Sequence, residues 1–222
     1  MMTNLLPSLQ TISPVAGPGQ LSSLEGALAT LDAALQRYDD CTHAHSRRVV
    51  GYAQTLGDEL GLDRNGLRWL GYGVFLHDIG KLSVPDVILQ KPTALTWSEW
   101  VTMKQHPLIG YRLICDLPIT GEAAEVVLYH HEWHDGRGYP YGLKGGEIPL
   151  GARICAVVDT LDALTSYRPY RKPVSFEAAS SYIATQRGTH FDPRVVDAFL
   201  AIPTWQWALL HTGPLRTSDL PN

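Results

Sequence analysis

Cysteine is scarce in this sequence, and the few cysteines that occur are far apart. Only three are present among 222 residues, Cys41, Cys115 and Cys155, and none forms a C-x-x-C pair. An odd number at such spacing does not indicate a disulfide framework, so a reducing environment is the simpler expectation. Long apolar runs and a basic N-terminal segment followed by an apolar one are also absent. We therefore expect a cytoplasmic protein without a membrane span.

A strong excess of charge of one sign is missing as well. The formal net charge is −4, and 18% of the residues are charged. This balance argues against a general surface for nucleic acid or anionic membrane, so we expect no DNA or RNA partner. The glycine-rich stretch 133–149 lacks the G-x-x-x-x-G-K-[ST] spacing of a P-loop, and no strand pattern precedes it. A nucleotide-cradling loop of that class is not expected.

Apolar residues recur at helical spacing along most of the chain. Residues 1–20 carry scattered prolines and glycines and are expected to be a flexible lead-in to a single domain, residues 21–222. No strand pattern is convincing, and capping and stop signals delimit seven or eight helices, among them Ser22 with Glu25, Gly61, Thr96 with Glu99, Pro107, Ser175 and Asp192-Pro193. The sequence therefore predicts an all-α domain, with Gly80 as a left-handed helix cap.

His77-Asp78 is the most informative pair in the chain. It follows the apolar run 67–76 and precedes Lys81 by three residues. Imidazole nitrogens and carboxylate oxygens are ligands of divalent first-row metals, and without a cation a buried pair would need hydrogen bonds to offset its desolvation. A core histidine beside a solvated aspartate is the alternative, so the interpretation depends on the rest of the chain.

Other histidines and aspartates lie at helix ends or on buried stripes. With His77-Asp78 they make five imidazoles and two carboxylates, the others being His45, His106, His130, His131 and Asp159. A catalytic zinc uses about three protein ligands, so this set suits two metals that share a bridging carboxylate. The mixed donors are compatible with iron, manganese, nickel or zinc. For the His130-His131 doublet alone, compensation of a helix dipole is an alternative.

A basic cluster follows this set along the chain. Arg168, Arg171 and Lys172 lie within five positions and are suited to binding phosphate. A solvated charged turn is the alternative interpretation of these residues.

Several motifs occur in a fixed order over about residues 35–200: His45-Ser46-Arg47-Arg48-Val49, His77-Asp78-Ile79-Gly80-Lys81, Val84-Pro85-Asp86, His106-Pro107, His130-His131-Glu132, Asp135-Gly136-Arg137-Gly138-Tyr139-Pro140, Ile148-Pro149-Leu150, Asp162-Ala163-Leu164-Thr165-Ser166, Arg168-Pro169-Tyr170-Arg171 and Phe191-Asp192-Pro193. Together they resemble the HD-GYP family, the metal-dependent phosphodiesterases of the HD superfamily. The resemblance implies an HD-domain-like helical bundle with a long loop around Gly138-Tyr139-Pro140. It also implies hydrolysis of the bacterial second messenger cyclic di-GMP to pGpG and onward to GMP.

The resemblance also implies roles for individual residues. One metal ion, iron or manganese in preference to zinc or nickel, would be held by His45, His77, Asp78 and Asp159, and a second by His106, His130 and His131. Asp78 would bridge the two metals. Lys81 would meet the scissile phosphate, Arg168 and Arg171 would hold phosphate oxygens, and Tyr139 would line the pocket. The Gly138-Tyr139-Pro140 loop is, in this family, also a contact surface for diguanylate cyclase domains.

One position departs from some members of the family. Those members carry a glutamate for a third metal four residues before the first ligand histidine, where this sequence has Cys41. We therefore expect a two-metal site with Cys41 as a bystander, the alternative being Cys41 as a ligand. Two other functions stay open: a module that senses cyclic di-GMP or docks a cyclase with little turnover, and an enzyme for another cyclic dinucleotide or a nucleoside triphosphate.

Overall fold

In a computed structural model of the chain, the described residues are 26 and 30, 40–117, 121–167 and 172–212, and they contain helices and no β-strand. The ten α-helices among them are α1 (Asp40–Glu59), α2 (Arg64–Leu76), α3 (Asp86–Leu89), α4 (Trp97–Met103), α5 (His106–Ile114), α6 (Gly121–Tyr129), α7 (Leu150–Thr165), α8 (Phe176–Thr185), α9 (Pro193–Ala201) and α10 (Thr204–Thr212). Two 3-10 helices cover Ile79–Ser83 and Gly145–Glu147. The prediction of an all-α fold is confirmed. Most of the helix predicted after Ser22 lies outside the described residues.

The turn between α1 and α2 contains the predicted helix stop, Gly61. Gly61 ends α1 with a φ of +80°, a conformation that glycine adopts without a steric penalty. Asp63 then caps α2 by accepting a hydrogen bond from the backbone N–H of Gly66 at 2.7 Å. The last eight residues of α2 are buried, so the His77-Asp78 pair that follows emerges inside the molecule.

Gly80 is required for a close approach and not for a left-handed cap. Its φ is not positive, so the prediction of a left-handed conformation was wrong. A Cβ atom at this position would lie 2.0 Å from the carbonyl oxygen of His106 and 2.6 Å from the backbone nitrogen of Gly110. The 3-10 helix after Asp78 therefore packs directly against the backbone of α5, which brings His106 to Asp78.

Predicted caps fix the starts of the later helices. Thr96 and Glu99 form a reciprocal capping box at α4, and Pro107 occupies the first turn of α5. Ser175 and Asp192 accept hydrogen bonds from the first turns of α8 and α9. Each cap sets where a helix begins and thus where its buried face lies.

The helix α10 belongs to the core through Trp207. The fully buried ring of Trp207 stacks on Phe199, with ring centroids 5.1 Å apart, and meets Tyr52 edge-on at 5.8 Å. The helix thus closes the bundle behind α1. Among the described helices, none is long and apolar enough to cross a bilayer.

Candidate metal centre

Six of the seven predicted ligand residues come together in two groups that share Asp78. One group holds Asp78 with His106, His130 and His131, and the other holds Asp78 with His45 and His77. Within each group, the potential ligand atoms all lie within 4.8 Å of one another. Asp159 is outside both groups, but its Oδ1 atom is 3.3 Å from Nε2 of His45.

Three of these histidines are oriented by backbone carbonyls. In each case Nδ1 lies at hydrogen-bond distance from the carbonyl oxygen three residues earlier: His77 from Val74 at 2.6 Å, His106 from Met103 at 2.8 Å and His130 from Val127 at 2.9 Å. A carbonyl oxygen only accepts, so Nδ1 must carry the proton. In the neutral ring, Nε2 then presents a lone pair, as a metal ligand does.

These lone pairs converge on Asp78. Nε2 of His106 is 3.2 Å from Nε2 of His130 and 3.4 Å from Oδ1 of Asp78. Oδ1 of Asp78 and Nε2 of His77 are buried and have no hydrogen-bond partner among the described residues. Buried acceptors that face one another cost free energy unless a cation or donor lies between them. The donor set therefore fits a divalent metal.

Burial keeps most of these histidines neutral. Burial lowers the pKa of His106 to about 4 and that of His131 to about 3, and it holds the pKa of His130 well below its ordinary value. Burial alone would raise the pKa of Asp78, but the positive charge of the Lys81 ammonium beside it holds that pKa well below its usual range. At neutral pH His106, His130 and His131 are thus neutral imidazoles beside a carboxylate, the protonation states that metal ligands need.

His45 is held differently from the other histidines. Its Nδ1 atom is 2.6 Å from Oδ2 of Asp162, and its Nε2 atom faces Asp159. Burial lowers the pKa of His45, but the hydrogen bonds and negative charges of the two aspartates outweigh it and raise the pKa to about 9. Both ring nitrogens of His45 therefore lie against carboxylates.

Two predicted substrate residues border the cluster. The Lys81 ammonium lies 2.5 Å from Oδ2 of Asp78, on the opposite carboxylate oxygen from His106, and its side chain is 31% exposed. The Tyr139 ring is stacked on His131, with centroids 4.8 Å apart, and the Lys104 ammonium lies 5.1 Å from the centre of the Tyr139 ring. Arg168, Arg171 and the side chain of Cys41 lie outside the described part of the chain, so their roles stay predictions.

The sequence reasoning assigned no role to Glu132, which organises the long loop. This buried carboxylate accepts hydrogen bonds from the backbone N–H groups of Tyr141, Gly142 and Leu143, at 2.7, 3.1 and 3.1 Å. Gly138 passes so close to the chain that a Cβ there would lie 2.2 Å from the backbone nitrogen of Trp133. A glutamate directly after the His130-His131 doublet was the available signal in the sequence.

Asp162 is a second residue for which the sequence predicted no role. It lies 2.6 Å from Nδ1 of His45 and one helical turn after Asp159, and that spacing was the available signal.

Comparisons with known proteins agree with this geometry. The HD domain family model matches residues 29–195. The chain is 43% identical over 175 residues to the cyclic di-GMP phosphodiesterase response regulator RpfG of Xanthomonas campestris pv. campestris (strain 8004), a match that covers 78% of this chain and 46% of that protein. It is 42% identical over 171 residues to a cyclic di-GMP phosphodiesterase of Thermotoga maritima, which covers 76% of this chain and 46% of the relative. The chain thus spans about half the length of these curated relatives.

Among solved structures, Bd1817, an HDG"Y"P protein from Bdellovibrio bacteriovorus, has a TM-score of 0.58 at 20% sequence identity. The match covers 71% of this chain and 50% of that chain, and a likeness at this identity shows the fold. The family is shown by the family model and by the relatives that are 42–43% identical in sequence. The chain belongs to the HD domain family, and its motifs are those of the HD-GYP type.

Proposed function

We propose that this chain is a phosphodiesterase that hydrolyses cyclic di-GMP to pGpG and onward to GMP, with two divalent metals. The observation that carries the proposal is that one carboxylate, Asp78, is shared by two groups of histidines, all buried except the partly buried His131. Divalent-metal binding follows from membership of the HD domain family together with this cluster. The names of the relatives that match the chain at 42–43% identity support the substrate.

The two groups correspond to two metal positions. His45, His77 and Asp159 would hold one metal, His106, His130 and His131 would hold the other, and Asp78 would contribute to both. Iron or manganese suits this mixture of nitrogen and oxygen donors, with zinc or nickel as alternatives. Bound metals would supply Lewis acidity at the phosphoryl oxygens and lower the pKa of water.

The protein's own cations would neutralise the phosphodiester. The Lys81 ammonium is partly exposed and lies beside Asp78, so it can donate hydrogen bonds to an oxygen of the scissile phosphate while remaining close to the shared carboxylate. Arg168 and Arg171 would bind the phosphate oxygens of the dinucleotide, because guanidinium groups match phosphate geometry. Tyr139, stacked on His131, would form the wall between the metals and the loop.

The long loop is also the proposed docking surface for a diguanylate cyclase domain. Glu132 fixes its backbone from inside, which leaves the neighbouring Tyr141 side chain 61% exposed. Gly138-Tyr139-Pro140 of this chain would lie at the contact with such a partner. Since cyclic di-GMP is a second messenger inside bacteria, we expect the chain to act in the cytoplasm. We also expect residues 21–222 to form one domain.

Turnover by the purified chain tests the function. The chain is reconstituted without oxygen with iron or manganese, and cyclic di-GMP, cyclic di-AMP and cyclic GMP-AMP are offered separately and in competition. We expect pGpG or GMP, identified by chromatography, with cyclic di-GMP preferred. Binding of cyclic di-GMP without product, at confirmed metal occupancy, would favour the sensing or docking role, and preference for another dinucleotide would reassign the substrate.

A further inference from the structure

Polar residues of α1 and α7 contact one another between the two helices. His45 and Arg48 lie one turn apart on α1, and Asp159 and Asp162 lie one turn apart on α7. His45 faces both aspartates, with Nε2 3.3 Å from Asp159 and Nδ1 2.6 Å from Asp162. Asp162 in turn faces both His45 and Arg48. These contacts form a continuous polar ladder from Asp159 through His45 and Asp162 to Arg48, and His45 is its member in the histidine cluster.

Asp162 is the most buried member of this ladder. Its side chain is 1% exposed, and both of its oxygens are engaged. Arg48 donates from Nε to Oδ1 at 2.7 Å and from Nη2 to Oδ2 at 2.9 Å, and Nη2 also reaches Oγ of Ser166 at 3.0 Å. A planar guanidinium that holds a carboxylate by two bonds fixes its orientation as well as its charge. Arg48 therefore fixes the orientation of the carboxylate that Asp162 presents to His45.

His45 consequently differs from His77, His106 and His130. Those three rings are oriented by the backbone carbonyls of Val74, Met103 and Val127. A substitution of a side chain does not remove a backbone carbonyl. His45 is held instead by side chains, and its Nδ1 atom, the one that a backbone carbonyl holds in the other three rings, lies 2.6 Å from Asp162. A carboxylate that accepts the Nδ1–H of a histidine also makes the other ring nitrogen a stronger metal ligand.

We propose that Asp162, held by Arg48, is a positioning residue that aims Nε2 of His45 into the metal cluster and sets the metal affinity of that one position. The inference rests on the proposed two-metal site. It makes the two positions unequal, because no carboxylate among the described residues contacts Nδ1 of His106, His130 or His131. Loss of Asp162 would then weaken one metal and spare the other.

Asp162→Asn is the direct test, because asparagine keeps the shape but has one oxygen and no charge. Manganese binding by the full chain is titrated, and metal per chain is counted after gel filtration. We expect two metals in the wild type, and in D162N one unchanged binding event and one weakened by about 10–100-fold. Arg48→Lys keeps the charge but not the planar fork, so it should weaken the same event less.

Asp192→Asn is the matched control. Asp192 is paired with Arg153 at 2.5 Å, its side chain is 5% exposed, and it lies outside both histidine groups. D192N therefore removes a comparable ion pair and should lower stability while both metal-binding events stay intact. Unchanged binding in D162N, or equal weakening of both events or equal effects in D192N, would overturn the positioning role. A wild type that binds two metals but leaves cyclic di-GMP intact contradicts the proposed function alone, whereas a wild type without two metals contradicts both proposals.

Discussion

Asp78 is the residue on which the proposed chemistry depends most. Its Oδ1 atom lies 3.4 Å from Nε2 of His106, and its Oδ2 atom lies 3.4 Å from Nε2 of His77 and 2.5 Å from the Lys81 ammonium. One carboxylate thus faces both histidine groups and the proposed substrate cation. No other aspartate in the described residues belongs to both groups.

Asp78→Ala should remove the bridge between the two proposed metal positions. We expect metal content to fall from two per chain to one or fewer, and turnover of cyclic di-GMP to fall below detection. The reason is that both histidine groups lose the carboxylate that they share. Metal analysis and product chromatography measure the two effects. Asp197→Ala is the control, since that side chain is 57% exposed and paired with Arg187. Full metal content and turnover in D78A would contradict the two-metal site.

At the scale of elements, the site depends on how the 3-10 helix Ile79–Ser83 packs against α5. Gly80 touches the backbone of both His106 and Gly110 at distances that leave no room for a side chain. The ligand groups are thus joined by backbone contact between two elements as well as by their own side chains. The position of His106 is set by a residue that cannot itself bind a metal.

Gly80→Ala should separate these two elements. The added Cβ would lie 2.0 Å from the His106 carbonyl oxygen, so α5 must shift, and we expect a loss of stability of about 1–3 kcal/mol or more. Denaturant unfolding measures that loss, and metal titration should show weaker binding by the group that contains His106. Gly51→Ala in α1 is the control, because nothing lies within 4 Å of a Cβ there and alanine should stabilise the helix by about 0.5–1 kcal/mol. Equal stability and metal binding in G80A and G51A would show that the close contact does not position His106.

At the scale of the whole molecule, local signals predicted the helices better than the contacts between them. The Thr96–Glu99 capping box and the Asp192 cap appear as predicted, because each is satisfied within one turn. The bond between His45 and Asp162 joins residues 117 positions apart, and no local pattern specifies it. The list of candidate ligands could be drawn up from residue types and helix ends, whereas the residues that orient them depend on packing.

The role of α10 could not be predicted for the same reason. Its apolar residues do not form a clear helical stripe, and Trp207 is buried against Tyr52 of α1 and Phe199 of α9, which are distant in sequence. His211 on this helix lies 2.8 Å from the Tyr52 hydroxyl, which connects α10 to the face of α1 that also carries Arg48. The contacts that place α10 therefore join elements that are remote in sequence.

Metal binding should stabilise the whole bundle, because the histidine groups exist only in the folded chain and are drawn from helix ends far apart in sequence. A ligand that binds only the folded state at 100 times its dissociation constant adds about 2.7 kcal/mol for each site. We expect manganese to raise the unfolding temperature of the chelator-treated chain by several degrees, and removal by chelator to reverse the shift, as followed by circular dichroism. D78A should show at most a small part of that shift. An unfolding temperature that does not respond to metal would contradict a metal site within the fold, and an equal shift in D78A would locate the metal away from Asp78.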